Sequence, residues 1–138
     1  DDIRIFFYTH VAISSKKAAA ARIRAVANDA LTVMGNQALK DVTQYVPLDQ
    51  GTLQSSGLSS SDRAAHDMKF DLRWSTPYAQ YLWHGDVMYG NPTSRTYGPE
   101  KLSFTSALAR EEWAKYAREV HGEDWKKVYQ AALKEGLK

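Results

Sequence analysis

Apolar residues along the chain follow two spacings, and each spacing predicts a different element. The segment from Ile3 to Val11 is rich in Ile, Phe, Tyr, Thr and Val, which suit the pleated surface of a strand. From Lys16 onward, apolar residues recur every three or four positions, and Ser14 or Ser15 can cap the start of a helix. We therefore predict a strand followed by one long amphipathic helix that ends just before Pro47.

The length of this helix is itself informative. A helix of about 30 residues spans roughly 45 Å, which is longer than a compact domain of this size needs. Gly35 lies inside it and costs about 1 kcal/mol relative to alanine, so a bend or a close contact is expected there. The helix either projects from the domain or serves as a spine for its neighbours.

The middle of the chain predicts an antiparallel hairpin. Residues Met68 to Ser75 alternate apolar and polar side chains, which is typical of a half-buried strand, and Thr52 to Ser59 could pair with them. The small and polar residues from Gly57 to His66 would form a long tip.

The second half of the chain completes the predicted fold. A short helix is expected at Tyr78–His84, followed by an exposed loop rich in Gly and Pro at Asp86–Thr105. Two final helices, separated by Gly122, are expected at Ser106–His121 and Asp124–Leu137. The prediction is an α+β fold in which a long N-terminal helix packs on a small antiparallel sheet, with C-terminal helices. All 138 residues are expected to form one domain.

Composition narrows the classes of function. The formal net charge is only +2, so the chain lacks the basic stripe of a protein that neutralises many phosphates. The sequence contains no cysteine, which excludes disulfides, thiolate metal sites and cysteine nucleophiles. No apolar run approaches the roughly 20 residues of a membrane span, and the first ten residues do not resemble a signal peptide. We expect a soluble protein made inside the cell.

The stretch YVPLDQGTLQSSG, from Tyr45 to Gly57, allows two interpretations. A phosphate-binding P-loop needs a lysine after its second glycine and a strand before it, whereas here Leu58 follows Gly57 and a helix precedes the stretch. A shaped turn fits better: Pro47 prevents the helix from continuing, Asp49 can accept bonds from downstream amides, and Gly51 permits a positive φ.

The sequence gives little indication of a catalytic site. The serines near residue 55 lack the Gly-x-Ser-x-Gly context of a nucleophile, and Glu111 and Glu112 are adjacent, so their side chains diverge on a helix. His84 and Asp86, with His66 or His121, have no zinc-site spacing. We predict no catalytic, cofactor or metal site, and a small hydrolase that uses His84 and Asp86 is kept as an alternative.

The aromatic residues support either a core or a binding surface. Trp74, Trp83, Trp113 and Trp125 recur at strand and helix spacings, which favours packing in the core, although with Arg73, Arg95 and Lys101 they could form a stacking platform for nucleic acid. Partly exposed Tyr, Trp and Arg residues are typical of protein interfaces. The interface candidates are Tyr78, Tyr81, Trp83, Tyr89, Arg95 and Tyr97.

Three motifs in order carry a family resemblance. They are YVPLDQGTL at 45–53, WSTPYAQYLWHG at 74–85 and EEWAKYAREVHGEDWKKVYQ at 111–130. Together they resemble the small minor capsid proteins of tailed phages and prophages, especially those of Gram-positive hosts, over the chain from about Gly35 onward. Gln80 departs from the family pattern, which has a basic residue after Pro-Tyr-Ala, so a contact from that position to a carboxylate or DNA phosphate is in doubt.

The resemblance implies a structural virion protein rather than an enzyme. It implies a homo-oligomeric ring of six- or twelve-fold symmetry in the neck, as a head–tail connector or tail-completion protein. The expected partners are other neck proteins, portal-adaptor proteins and tail proteins, with DNA passing through the lumen without specific binding. Assembly would take place in the cytoplasm of the bacterial host, and Pro47, Asp49 and Gly51 would form the turn after the spine helix. The alternative function is a nucleic-acid-binding module with an aromatic and arginine surface.

Overall fold

The computed structural model shows an α+β fold, as predicted. It describes residues 2–10, 17–47, 52–76, 79–89, 96–104 and 107–138. In chain order the elements are β1 (Ile3–Tyr8), α1 (Lys17–Thr43), α2 (Thr52–Ser60), β2 (Lys69–Trp74), α3 (Ala79–His84), β3 (Asp86–Tyr89), β4 (Thr96–Lys101) and α4 (Trp113–Gly136). The predicted first strand and long helix are confirmed, and α1 ends four residues before Pro47.

Helices α1 and α4 form an antiparallel pair that supports the rest of the molecule. The indole Nε1 of Trp125 donates a 2.8 Å bond to Asp41 near the end of α1, whereas Gly136 at the end of α4 lies against Val26. The phenol oxygen of Tyr45 lies 2.8 Å from Nε2 of His121, and burial raises the pKa of this phenol above its ordinary value. Late α1 therefore meets early α4, which closes the core at this end.

A two-stranded antiparallel sheet packs on α1. Strand β1 pairs with β2 in a register that runs from Ile3 opposite Trp74 to Tyr8 opposite Lys69. Phe70, Leu72 and Trp74 are fully buried, because alternate residues of a strand point to one face. A β-carbon at Gly35 would lie 2.4 Å from the Phe70 ring, so the glycine inside α1 marks a close helix–sheet contact.

The predicted strand at Thr52–Ser59 is wrong, because these residues form helix α2. Its buried positions are Leu53, Ser56 and Gly57, at helical spacing, and a β-carbon at Gly57 would lie 2.2 Å from Nε1 of Trp74. The hydroxyl oxygen of Ser56 accepts a 3.0 Å bond from the backbone N–H of Ser75. Small side chains let this helix lie directly against β2, and β1 instead provides the strand partner of β2.

The C-terminal region also differs from the prediction. A single helix, α4, runs through Gly122, where two helices were expected. The nearest atom that a β-carbon at Gly122 would meet is Cγ of Arg118, at 3.8 Å, so this glycine is a tolerated helical residue. Burial of Trp125 beyond it, with the His121 ring stacked on the indole, favours continuation over the stop that glycine usually signals.

The expected loop at Asp86–Thr105 contains a second hairpin. Strands β3 and β4 pair antiparallel, with a register irregularity between Asp86 and Met88. Gly98 has a φ of 74°, within the irregular part of β4. Pairing between backbone groups does not require alternation of side chains, which is why the pattern predicted a loop. Residues 90–95 and 105 lie outside the described residues.

Candidate assembly surface

Three of the four tryptophans lie in the core, and the fourth lies at its edge. Trp74, Trp113 and Trp125 are at most 2% exposed, so the predicted packing role is confirmed for these three and their faces are not available to stack on bases. Trp83 is half-buried, and its ring lies 4.9 Å from that of Trp113 in a T-shaped arrangement. Trp83 therefore joins α3 to the core.

Residues 79–89 and 96–104, here called the arm, begin at this tryptophan contact. The carbonyl of Trp83 accepts a 2.8 Å bond from the backbone N–H of Glu112, just before α4. Gly85, with φ 68°, ends α3, and its carbonyl accepts a 2.6 Å bond from the N–H of Leu102, which closes the base of the hairpin. A β-carbon at Gly85 would lie 2.8 Å from Cβ of Glu111, so the base is tightly built.

Beyond this base, the described residues of the hairpin have few contacts with the rest of the described chain. Among the described elements, α3, which directly precedes β3, makes the main contact with the hairpin. Lys101 forms a 3.3 Å ion pair with Glu111, but both side chains are at least half exposed, and such pairs contribute little stability. A two-stranded hairpin with few tertiary contacts is marginally stable in water.

The interface candidates that the structure describes lie on different parts of the arm. Tyr81 is half-buried on α3, and Tyr89 on β3 is 41% exposed. Partial desolvation, together with a hydrogen bond to Glu100, raises the pKa of the Tyr89 phenol. Tyr97 lies on β4 opposite Met88. Tyr78 and Arg95 lie outside the described residues, as do Asp49 and Gly51 of the predicted turn, whereas Pro47 is fully buried.

Comparison with known proteins decides the family. A family model described as minor capsid protein matches residues 9–133 of the 138. The chain belongs to the minor capsid protein family. No curated protein and no solved structure matches the chain. The resemblance predicted from the three motifs is thus confirmed, and the match extends it back to the end of β1. This minor capsid protein is a structural component of a phage virion.

A second exposed surface of the minor capsid protein, on β1, was not predicted from the sequence. Phe6 and Tyr8, two positions apart on β1, are 52% and 76% exposed on the face of the sheet opposite the core. Arg4 on the same face pairs with Asp71, and its guanidinium lies 5.2 Å from the centre of the Phe6 ring. Alternation within β1 was the signal for this surface, because Ile3 and Ile5 are the buried partners of the exposed aromatics.

Groups considered for catalysis serve structural roles or lie apart. His121 bonds to Tyr45, and Ser61 accepts a 2.9 Å bond from the N–H of Arg73. His84 is exposed on α3. Within the described ranges, no group of three His, Cys, Asp or Glu residues could hold a metal ion. None of the helices in these ranges is long and apolar enough to cross a bilayer.

Proposed function

We propose that this minor capsid protein forms a ring in the neck of the virion, at the head–tail junction. The observation that carries the proposal is the arm, whose hairpin is held by α3 and by the Trp83–Trp113 contact. An element that is marginally stable alone becomes ordered when a neighbour covers it. The arm is therefore the part of the chain best suited to reach another subunit.

Two different exposed surfaces favour a head-to-tail arrangement. The arm presents Tyr89, whereas the outer face of β1 presents Phe6 and Tyr8, and the two lie on separate sheets. Contact between unlike surfaces of identical subunits generates a ring when the rotation closes. Aromatic side chains with a nearby arginine are the residues that concentrate energy in protein interfaces.

The ring would join the capsid portal complex to the tail. Its partners would be further copies of this chain, portal-adaptor proteins and tail proteins, and its symmetry would be six- or twelve-fold, as the family resemblance implies. DNA would pass through the lumen without sequence-specific binding. The ring would act by binding and positioning its neighbours, with no catalytic step, after assembly in the host cytoplasm.

The test is native mass spectrometry and electron microscopy of the purified protein, alone and mixed with its portal and tail partners. We expect closed rings, and we expect Tyr89→Ser to reduce the ring fraction while the melting temperature stays unchanged. Val33→Ser is the matched control, because Val33 is also about half exposed but lies on α1. A protein that stays monomeric with every partner, or a ring that tolerates Tyr89→Ser, would contradict the proposed use of the arm.

A further inference from the structure

The open end of the α1–α4 pair carries an unusual set of charges. Val26 meets Gly136 there, and α1 continues past this contact toward its start at Lys17. At about 1.5 Å per residue, Arg22, Arg24, Lys134 and Lys138 all lie within roughly 6 Å of the contact along the helix axes. These four residues are called the basic tip.

Charge is unevenly distributed between this end and the rest of the chain. Residues 17–26 and 130–138 contain five basic residues and one acidic residue, Glu135. The remaining residues contain thirteen basic and fifteen acidic residues. The small net charge of the whole protein therefore conceals a positive end and a slightly negative body.

Most cations of the basic tip have no ion-pair partner among the described residues. Among the described residues, Arg22, Arg24 and Lys134 form no ion pair, and Lys138 pairs with Glu135 while both remain more than two-thirds exposed. The first turn of α1 also has no acidic residue, although a negative charge is what the dipole favours at a helix N-terminus. A partner outside the chain would account for this excess of positive charge.

The surface around the basic tip is suited to phosphate rather than to protein. Its other exposed residues include Ala19, Ala21, Ala25 and Ala131, and Leu137 is the one large apolar side chain exposed at this end among the described residues. Protein interfaces are built on apolar and aromatic anchors and contain few lysines. Binding to a nucleic acid backbone requires only Lys and Arg that can release counterions from phosphates.

We propose that the basic tip binds the phosphodiester backbone of double-stranded DNA without reading its sequence. Arg22 and Arg24 lie near the start of α1, and Lys134 and Lys138 lie at the end of α4, so the four cations are spread over two helix ends and allow contacts to more than one phosphate. This binding does not require ring formation, so it is measured on the free protein and separately from assembly.

The experiment measures binding to a random-sequence DNA duplex by fluorescence anisotropy between about 50 and 200 mM salt. Affinity that depends on phosphate contacts falls steeply over this range of salt concentration. One variant carries Arg22→Gln, Arg24→Gln, Lys134→Gln and Lys138→Gln. The control carries Lys40→Gln, Arg63→Gln, Lys69→Gln and Lys115→Gln, at exposed positions on the body. Both variants have the same net charge, and circular dichroism checks that each keeps its helix content.

We expect the tip variant to lose at least tenfold in affinity, with its salt slope reduced by about 3 to 4, while the control loses less than threefold. Equal loss in both variants would show that binding follows total charge and would overturn the assignment to the tip. Absence of salt-dependent binding by the unmodified protein would overturn the proposal. The proposal would also be overturned if polyglutamate displaced the labelled duplex as effectively as unlabelled DNA of equal charge. The ligand of the basic tip would then be an acidic protein surface.

Discussion

The core and the arm of this minor capsid protein are stabilised in different ways. In the core, the rings of Phe70 and Trp74 lie so close to Gly35 and Gly57 that neither glycine has room for a β-carbon. In the arm, β3 and β4 pair with each other, and Trp83 provides the aromatic contact to the body. Contacts within the chain therefore determine the core, whereas the arm has fewer such contacts, and our proposal is that a neighbour completes it.

Removing a core tryptophan has the largest expected effect. Trp74→Ala should lower the free energy of unfolding by about 3–5 kcal/mol, because it opens a cavity between α2, the sheet and Trp113. Urea denaturation measures the change. Phe6→Ala, at an exposed position on the partner strand, should change the same quantity by less than about 1 kcal/mol. A similar loss in the two variants would contradict the division into core and surface.

Adding a single methyl group tests the close contact inside α1. Gly35→Ala should destabilise the protein by about 1–3 kcal/mol, since its β-carbon would lie 2.4 Å from the Phe70 ring. Gly122→Ala is the matched control in α4, where there is room for the methyl group. Thermal unfolding should show a gain of about 0.5–1 kcal/mol for this control, because alanine favours helix. The same sign for both variants would refute the packing argument.

Detaching the arm should have a smaller effect on global stability. Trp83→Ala should reduce the free energy of unfolding by about 1–2 kcal/mol, because its ring is half-buried against Trp113. Limited proteolysis should then cut within 86–101 faster than in the unmodified protein. Leu58→Ala, exposed on α2, is the control and should leave the cleavage rate of the arm unchanged. An arm that resists protease after Trp83→Ala would show that other contacts hold it.

The smallest effect is expected at His84, which is exposed on α3. His84→Ala should change the free energy of unfolding by less than about 0.5 kcal/mol and leave ring assembly intact. Loss of a measurable hydrolytic activity in this variant would support the alternative in which His84 and Asp86 are catalytic.

Elements with a regular apolar spacing could be predicted, and elements formed by tertiary contact could not. Helix α1 is predicted by apolar residues that recur every three or four positions. Helix α2 is rich in Ser and Gly, which disfavour helices, and it forms because those small residues fit against Trp74. Gly122 has the local signature of a helix stop, and the burial of Trp125 overrides it.

The candidate surface was only partly predictable for the same reason. Composition makes the tyrosines of the arm interface candidates, which stays a prediction, whereas the anchoring contact of Trp83 depends on Trp113, thirty positions later in the chain. The residue types around Phe6 and Tyr8 predict a strand, but which face of it is exposed depends on the packing of Ile3 and Ile5 in the core. The basic tip depends on two distant segments coming together, so a net charge for the whole chain could not reveal it.

Amide hydrogen exchange of the hairpin, measured in the free protein and in assembled necks, distinguishes an arm that a neighbour completes from one that its own chain stabilises. If a neighbour completes the arm, the amides of 86–89 and 96–101 should exchange rapidly in the free protein and become strongly protected on assembly, while those of α1 change little. Equal protection of the hairpin in both states would contradict the claim that the arm is the surface by which this minor capsid protein joins its neighbours.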